Sequence, residues 1–185
     1  MASSIEICND ALTMLSQEPV MALDDTTKAS RLCKQRYEPV RDALLRSYPW
    51  SFAMKREILA RDLESPVFGY ANAYSLPVDC VRVVSVNDRM QEWQVEGRKV
   101  LTNADRVNLR YIRKVEDPNE MDAMFRECLT LKLAADMCIS LTSNIDLKSM
   151  YEQLLERKIN LAYNASAIES TPPEVIEGNW ILSRY

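Results

Sequence analysis

Ser47-Tyr48-Pro49-Trp50-Ser51-Phe52-Ala53-Met54-Lys55-Arg56-Glu57-Ile58-Leu59 is the stretch at which the hydrophobic period of this chain changes. Before it, apolar residues recur at helical spacing; after it, they recur at every second position. Pro49 supplies the cause: proline has no N–H to continue a helix and drives the residue before it out of the α region, so the helix ends near Ser47 or Tyr48. Read with period two, Trp50, Phe52, Met54 and Ile58 share one strand face, interrupted by Arg56, and Ser51, Ala53, Lys55 and Glu57 share the other. Two aromatics beside a helix-to-strand corner predict a buried joint between a helical part and a sheet part.

Upstream, Ile5, Cys8, Leu12 and Leu15 form a helical stripe over Ser4 to Ser16, widened by Ile7, Ala11 and Met14. A connector with Pro19 follows, with Asp24 or Asp25 as the expected cap of a helix from about Thr26 to Ser47. Pro39 inside that helix predicts a kink near Gln35 to Glu38.

Downstream, Pro66-Val67-Phe68-Gly69-Tyr70-Ala71-Asn72-Ala73-Tyr74-Ser75-Leu76-Pro77 reads as an aromatic loop, its prolines opposing helix and central strand. So apolar a loop must rest on something, and the Trp50 face is the expected surface for Phe68, Tyr70 and Tyr74. Val81 to Val86, Glu92 to Glu96, Lys99 to Thr102 and Val107 to Lys114 read as short strands. Their intervals are too short for crossover helices, so a small antiparallel sheet of about five strands is expected.

At Glu116 the helical period returns. Asp117, Pro118 and Glu120 fit N-cap, N1 and N3 of a helix so apolar around its circumference that it belongs in the centre of the helical layer. Ser143 or Asn144 caps a fourth helix with Leu147, Tyr151, Leu154, Leu161, Ala165 and Ile168 as its stripe. The expected fold is therefore α+β: helices from 1–48 and 117–170 around an inserted β part, 49–116, with an extended tail, 171–185. In that tail Pro172 and Pro173 enforce an extended start, and Val175, Ile176, Trp180, Ile181, Leu182 and Tyr185 are expected to dock on a neighbour.

Composition narrows the chemistry. A chain of 185 residues with 47% apolar content can bury a sizeable core, and a net charge of -4 does not suit a protein that grips nucleic acid by a basic face. With no histidine, His-dependent triads and His-bearing metal sites are excluded, and three scattered glycines make no phosphate-cradling loop. No cofactor is expected. The five cysteines, an odd number at apolar positions, read as reduced core residues of a cytosolic product. Neither a membrane-spanning run nor a signal peptide is expected. What remains for acid-base work is carboxylates: Asp24, Asp25, Glu116, Asp117, Glu120 and Asp122, all beside helix starts, where capping explains them. Lys28, Arg31 and Arg36 are the basic residues of the second helix, and a solvated face explains those.

Met14-Leu15-Ser16-Gln17-Glu18-Pro19-Val20 with Leu23-Asp24-Asp25, then Tyr48-Pro49-Trp50-Ser51-Phe52-Ala53, then Phe68-Gly69-Tyr70 with Ala73-Tyr74-Ser75-Leu76-Pro77-Val78-Asp79-Cys80-Val81-Arg82-Val83, resemble in order and spacing the tail tubular protein A family of short-tailed bacteriophages. The resemblance covers the chain to about Arg113; beyond that only the two long helices and the tail are similar. A glycine is frequent in the family where Ser16 stands. The resemblance implies a structural head-to-tail adaptor, not an enzyme. Such proteins form a ring, dodecameric in the family, beneath the portal protein, and carry a tail nozzle of tail tubular protein B type together with any tail fibres. Double-stranded DNA passes down the lumen. The implied location is the virion tail, assembled in the host cytoplasm. Glu92 and Glu96, near Trp93, are the candidates for a lumen lining that does not hold DNA. The alternative is a tail-associated hydrolase of cell-wall glycan, which needs two carboxylates about 5 to 9.5 Å apart in a cleft.

Overall fold

The computed structural model describes residues 2–87 and 91–168. Its first helix, α1 (Ser4–Met14), is opened by a reciprocal cap: Glu6 N–H donates to the Ser3 hydroxyl at 3.1 Å and Ser3 N–H to the Glu6 carboxylate at 2.8 Å. It closes in a Schellman turn, with Gln17 N–H on Leu12 O at 2.9 Å and Ser16 N–H on Thr13 O at 3.0 Å. That turn requires a left-handed residue at its pivot, and Ser16 takes φ 54°. The connector is clamped onto α1 by Asn9, which donates to Val20 O at 3.0 Å and accepts from Val20 N–H at 2.8 Å.

The second helix, α2 (Lys28–Ser47), is capped by Thr27 and not by Asp24 or Asp25. Asp25 is turned back onto Ala22 N–H at 3.0 Å, and Asp24 pairs with Lys34. Pro39 lies within the continuous helix on its exposed side.

After Pro49 the chain does not enter a strand at once. Ser51–Ala53 make a 3-10 turn, and β1 begins at Met54 (Met54–Leu59). The turn resets the phase, so Ile58, expected beside Trp50, is 58% exposed, and Leu59 is the buried residue. The strands β2 (Asn72–Ser75), β3 (Cys80–Val86), β4 (Trp93–Glu96), β5 (Lys99–Thr102) and β6 (Val107–Arg113) form two antiparallel three-stranded sheets, ordered β1-β6-β3 and β2-β5-β4. The single five-stranded sheet is thereby corrected. Its missing member, β2, lies inside the aromatic loop, with Pro66 and Pro77 flanking it without interrupting it.

Adjacent residues of β6, Tyr111 and Ile112, are both fully buried, which requires cover on both faces of the sheet. Ile112 joins the helices, Trp50, Ala53 and Val115 in one core, while Tyr111, Leu109 and Val107 join Leu59, Tyr74, Val86 and Val100 in a second. The order of layers is helices, first sheet, second sheet.

Asp117 caps only the 3-10 turn Pro118–Glu120, which corrects its assignment to the third helix. That helix, α3 (Ala123–Thr142), starts from Asp122, whose carboxylate accepts from Met124 N–H at 2.7 Å. It packs on α1, α2 and the last helix, α4 (Ile145–Ile168), so its all-round apolar character does mark the centre of the helical layer. Asn144 caps α4 through Leu147 N–H at 3.0 Å. The stripe expected on α4 holds at Leu147 and Tyr151 and is corrected beyond them: Leu155, Ile159 and Ala162 are buried, while Leu154 and Leu161 face solvent. Both sets have helical spacing and share Tyr151, whose hydroxyl bonds Met14 O; beyond it, packing on α3 decides which one meets the core. The tail 171–185 lies outside the described residues, as do the side chains of Ala165 and Ile168.

Candidate functional site

Trp50 is held by its indole N–H on Leu44 O at 3.0 Å, one turn back in α2, and by an edge-to-face contact with Phe125 of α3 at 4.9 Å. Phe52 reaches the same ring of Phe125 at 5.0 Å, and Tyr48 stacks edge-on against Trp50 at 6.0 Å. Pro49 is half-buried beside them. The corner therefore joins α2, the 3-10 turn and α3. The gap left between it and α4 is about 20 Å³, room for one small group and no ligand.

The aromatic loop does not share this core. Tyr74 is buried in the second core, its hydroxyl donating to Ala104 O at 2.8 Å; Tyr70 is half-buried; Phe68 is 87% exposed. The reason is the first sheet, which stands between the corner and the loop, with the helical core on one face and the second core on the other. The docking residues Val175, Ile176, Trp180, Ile181, Leu182 and Tyr185 lie outside the described residues. Glu92 and Glu96 are exposed on and beside β4, with Trp93 half-buried between them.

Each candidate carboxylate is engaged locally. Lys34 holds the Asp24 carboxyl below the ordinary range, Lys114 does the same for Glu116 at 2.8 Å, and the backbone and side-chain amides of Asn119 do so for Asp117. Glu120 pairs with Arg113, and Asp122 caps α3. A general acid needs its pKa raised, the opposite direction. Of the basic residues on α2, Lys28 bonds Ser140 O and Arg36 meets Asp136 at 3.5 Å, so both are engaged with α3. Among the described residues no group of His, Cys, Asp or Glu has the arrangement of a metal site, and no helix is long and apolar enough to cross a membrane.

The strongest polar cluster was invisible to period reading, because its members come from three places. Tyr111 of β6 shares its hydroxyl with Glu57 of β1 at 3.1 Å and Asp79 of the β2–β3 turn at 3.0 Å, while Lys55 meets Asp79 at 3.1 Å and lies over the Tyr111 ring. Burial raises the proton affinity of Asp79, but Lys55 and Tyr111 outweigh it and hold the carboxyl below its ordinary value. Burial first, with Asp79 and Glu57 assisting against Lys55, pushes Tyr111 up to about 12.

The sign of each shift sets the pH profile. Asp79, lowered in the folded state, stabilises above its unfolded value of about 3.9, and that contribution is lost as pH falls through the folded value. Tyr111 is raised, so its contribution is complete below about 10 and lost as pH rises toward 12. Burial also pushes up Cys80 and, to about 11, Cys128, which starts the alkaline decline near the unfolded thiol value of about 8.5. With no histidine, unfolding free energy by urea titration is expected to be flat from about pH 5 to 8. It falls outside that range, and Asp79→Asn should make the acid limb shallower. An unchanged acid limb would remove Asp79 from this account.

Larger concavities lie elsewhere. One of about 550 Å³ runs between the α1–α2 connector and Leu141 near the end of α3. Another of about 470 Å³ lies between α1, α3 and α4, floored by Ile7, Met14 and Leu131. Compared with known proteins, the chain matches no family model and no curated protein.

Proposed function

We propose that the chain is a structural head-to-tail adaptor of a short-tailed bacteriophage: a subunit of a homo-oligomeric ring, dodecameric as in the family it resembles. The ring sits beneath the portal protein in the virion and joins it to a nozzle of tail tubular protein B type. Duplex DNA crosses its lumen unread. The observation that carries the reading is at Ser16. The family frequently has glycine there, and the position is the left-handed pivot of the α1 Schellman turn, where only the backbone conformation matters and glycine is the least strained residue. A likeness that includes the reason for its own exception is stronger than shared letters. The other two quoted blocks also occupy structural decision points: the corner at Trp50, and β2 with the turn into β3.

The charge balance supports a conduit. Phosphate neutralisation is what holds DNA, and a net charge of -4 with Lys28 and Arg36 already engaged offers little of it. Mixing the full chain with the portal ring of its own virion is expected to yield one complex whose added mass equals about a dozen copies. That complex should leave free duplex DNA unshifted at physiological salt. No complex by native mass measurement, or tight duplex binding, would overturn the reading.

A further inference from the structure

Residues 60–71 leave the body of the protein between β1 and β2 and return to it, and the base of this excursion is tied at both ends. Arg61 bridges to Tyr74, and Asp62 N–H donates to Ala73 O at 2.9 Å. The Asp62 carboxylate takes Ser75 N–H at 3.2 Å, the Ser75 hydroxyl at 3.1 Å and the Lys99 ammonium at 2.9 Å. At the far end Ala71 N–H donates to the Asn103 side chain at 2.9 Å. The tip is of opposite character. Leu63 and Val67 are fully in solvent and Phe68 nearly so, with Gly69 turning the chain at φ 85° directly after it. The Asp62 bonds fix the base of the excursion, and beyond it the apolar side chains stand in solvent as a preformed tongue. Leu63, Val67 and Phe68 are thus three large apolar side chains exposed within six residues, and exposed apolar surface of this kind marks interaction sites.

The same chain carries a matching concavity. The cleft of about 470 Å³ between α1, α3 and α4 has an apolar floor of Ile7, Met14 and Leu131 and lies within the size range of recognition pockets. Its lining holds the acids Glu6, Asp10 and Glu127 and the bases Arg126 and Lys158; Glu127 and Lys158 pair with each other, which leaves Glu6, Asp10 and Arg126 outside the ion pairs among the described residues. The tongue is flanked by one base, Arg61, and one acid, Glu64, likewise without ion pairs. A copy cannot fill its own cleft: β1 starts at Met54 against the helical core and ends at Leu59 in the second core, so the tongue lies beyond the first sheet.

We propose that the tongue 63–68 of one copy seats in the α1/α3/α4 cleft of the next. The donor surface is in the β part and the acceptor in the helical part, so the contact is heterologous and repeats head to tail. It deepens the ring reading and rests on it for closure of the series.

The test uses the full chain with Phe68→Cys and Thr130→Cys, the second within the cleft, under copper-phenanthroline oxidation. All five native cysteines are buried, so the introduced thiols are the accessible ones. The double variant is expected to give a ladder of disulfide-linked oligomers on non-reducing gels, and each single variant none. Adding Leu63→Ser should reduce the ladder at least tenfold without lowering the melting temperature, because Leu63 touches no core. The proposal is overturned by no ladder up to the solubility limit, by Phe68→Cys alone dimerising tongue to tongue, or by a ladder indifferent to Leu63→Ser. It is also overturned if the wild-type chain floats with phosphatidylcholine–phosphatidylglycerol vesicles and Phe68→Ser does not, since the tongue would then be a membrane anchor. Particle mass separates the two readings. Open oligomers with the cross-link keep the tongue and remove the ring, whereas rings formed equally well by Phe68→Ser keep the ring and remove the tongue.

Discussion

Trp50→Ala is expected to lower the unfolding free energy by about 3 to 5 kcal/mol, the range for deleting a large buried aromatic. The indole is 7% exposed and touches rings from the turn and from α3, and its N–H is bonded to Leu44 O, so truncation removes contacts on two elements and leaves a void. The neighbouring gap of about 20 Å³ shows that little space is available into which the corner could relax. For a chain of this size the loss corresponds to a fall in melting temperature on the order of 10 °C. Phe68→Ala is the paired control, and its cost should stay within about 0.5 kcal/mol because the ring stands in solvent. A single core shared by both residues would make both substitutions expensive. Urea titration of the two variants therefore tests the layer order directly, and equal costs would refute it.

The contrast between these residues also shows what could be read in the sequence. Pro49 marked the end of α2 because the proline effect is local, and a cap at Ser143 or Asn144 was readable for the same reason, with Asn144 the one that bonds. The apolar excess of α3 placed it centrally, since a helix buried on all sides has no polar face to show. Burial direction in the β part was not local. Whether period-two alternation continued through Ser51–Ala53 depended on a 3-10 turn stabilised by Trp50 and Phe125, a contact across the chain. On α4, two stripes of helical spacing diverge beyond Tyr151, and only packing on α3 separated them.

The candidate surfaces follow the same logic. The Lys55–Asp79–Tyr111 cluster had no sequence signal, as antiparallel pairing of Lys55 with Tyr111 is what brings it together. Part of the signal for the tongue did exist: the loop from Pro66 to Pro77, with Phe68, Tyr70 and Tyr74, was too apolar for solvent, although Leu63 lies before it. The inference from that signal pointed inward to the Trp50 core, whereas the Asp62 clamp points it outward. An apolar loop needs a partner surface, but composition alone does not say whether that surface belongs to the same copy.

Deleting residues 171–185 is expected to abolish assembly on the portal while leaving the melting temperature of the chain unchanged. The segment lies outside the described residues, so the expectation rests on its chemistry. Buried residues of the helical core extend to Ala162 on α4, and the corner beside them has no room for an indole. Pro172 and Pro173 cannot continue a helix and favour an extended departure, so Val175, Ile176, Trp180, Ile181, Leu182 and Tyr185 are free to fill pockets on a neighbour. Full burial of one such side chain contributes about 1.5 to 3 kcal/mol, against roughly 1 to 2 kcal/mol of ordering per residue, so several anchors must engage together. Trp180 is the largest of them. Trp180→Ala should weaken the complex by about 2 kcal/mol, roughly thirtyfold in dissociation constant. Titration against the portal ring measures this, and thermal melting of the truncated chain supplies the control. A truncated chain that melts markedly lower would assign the tail to its own core, and one that assembles normally would leave the tongue and cleft as the principal contacts of the ring.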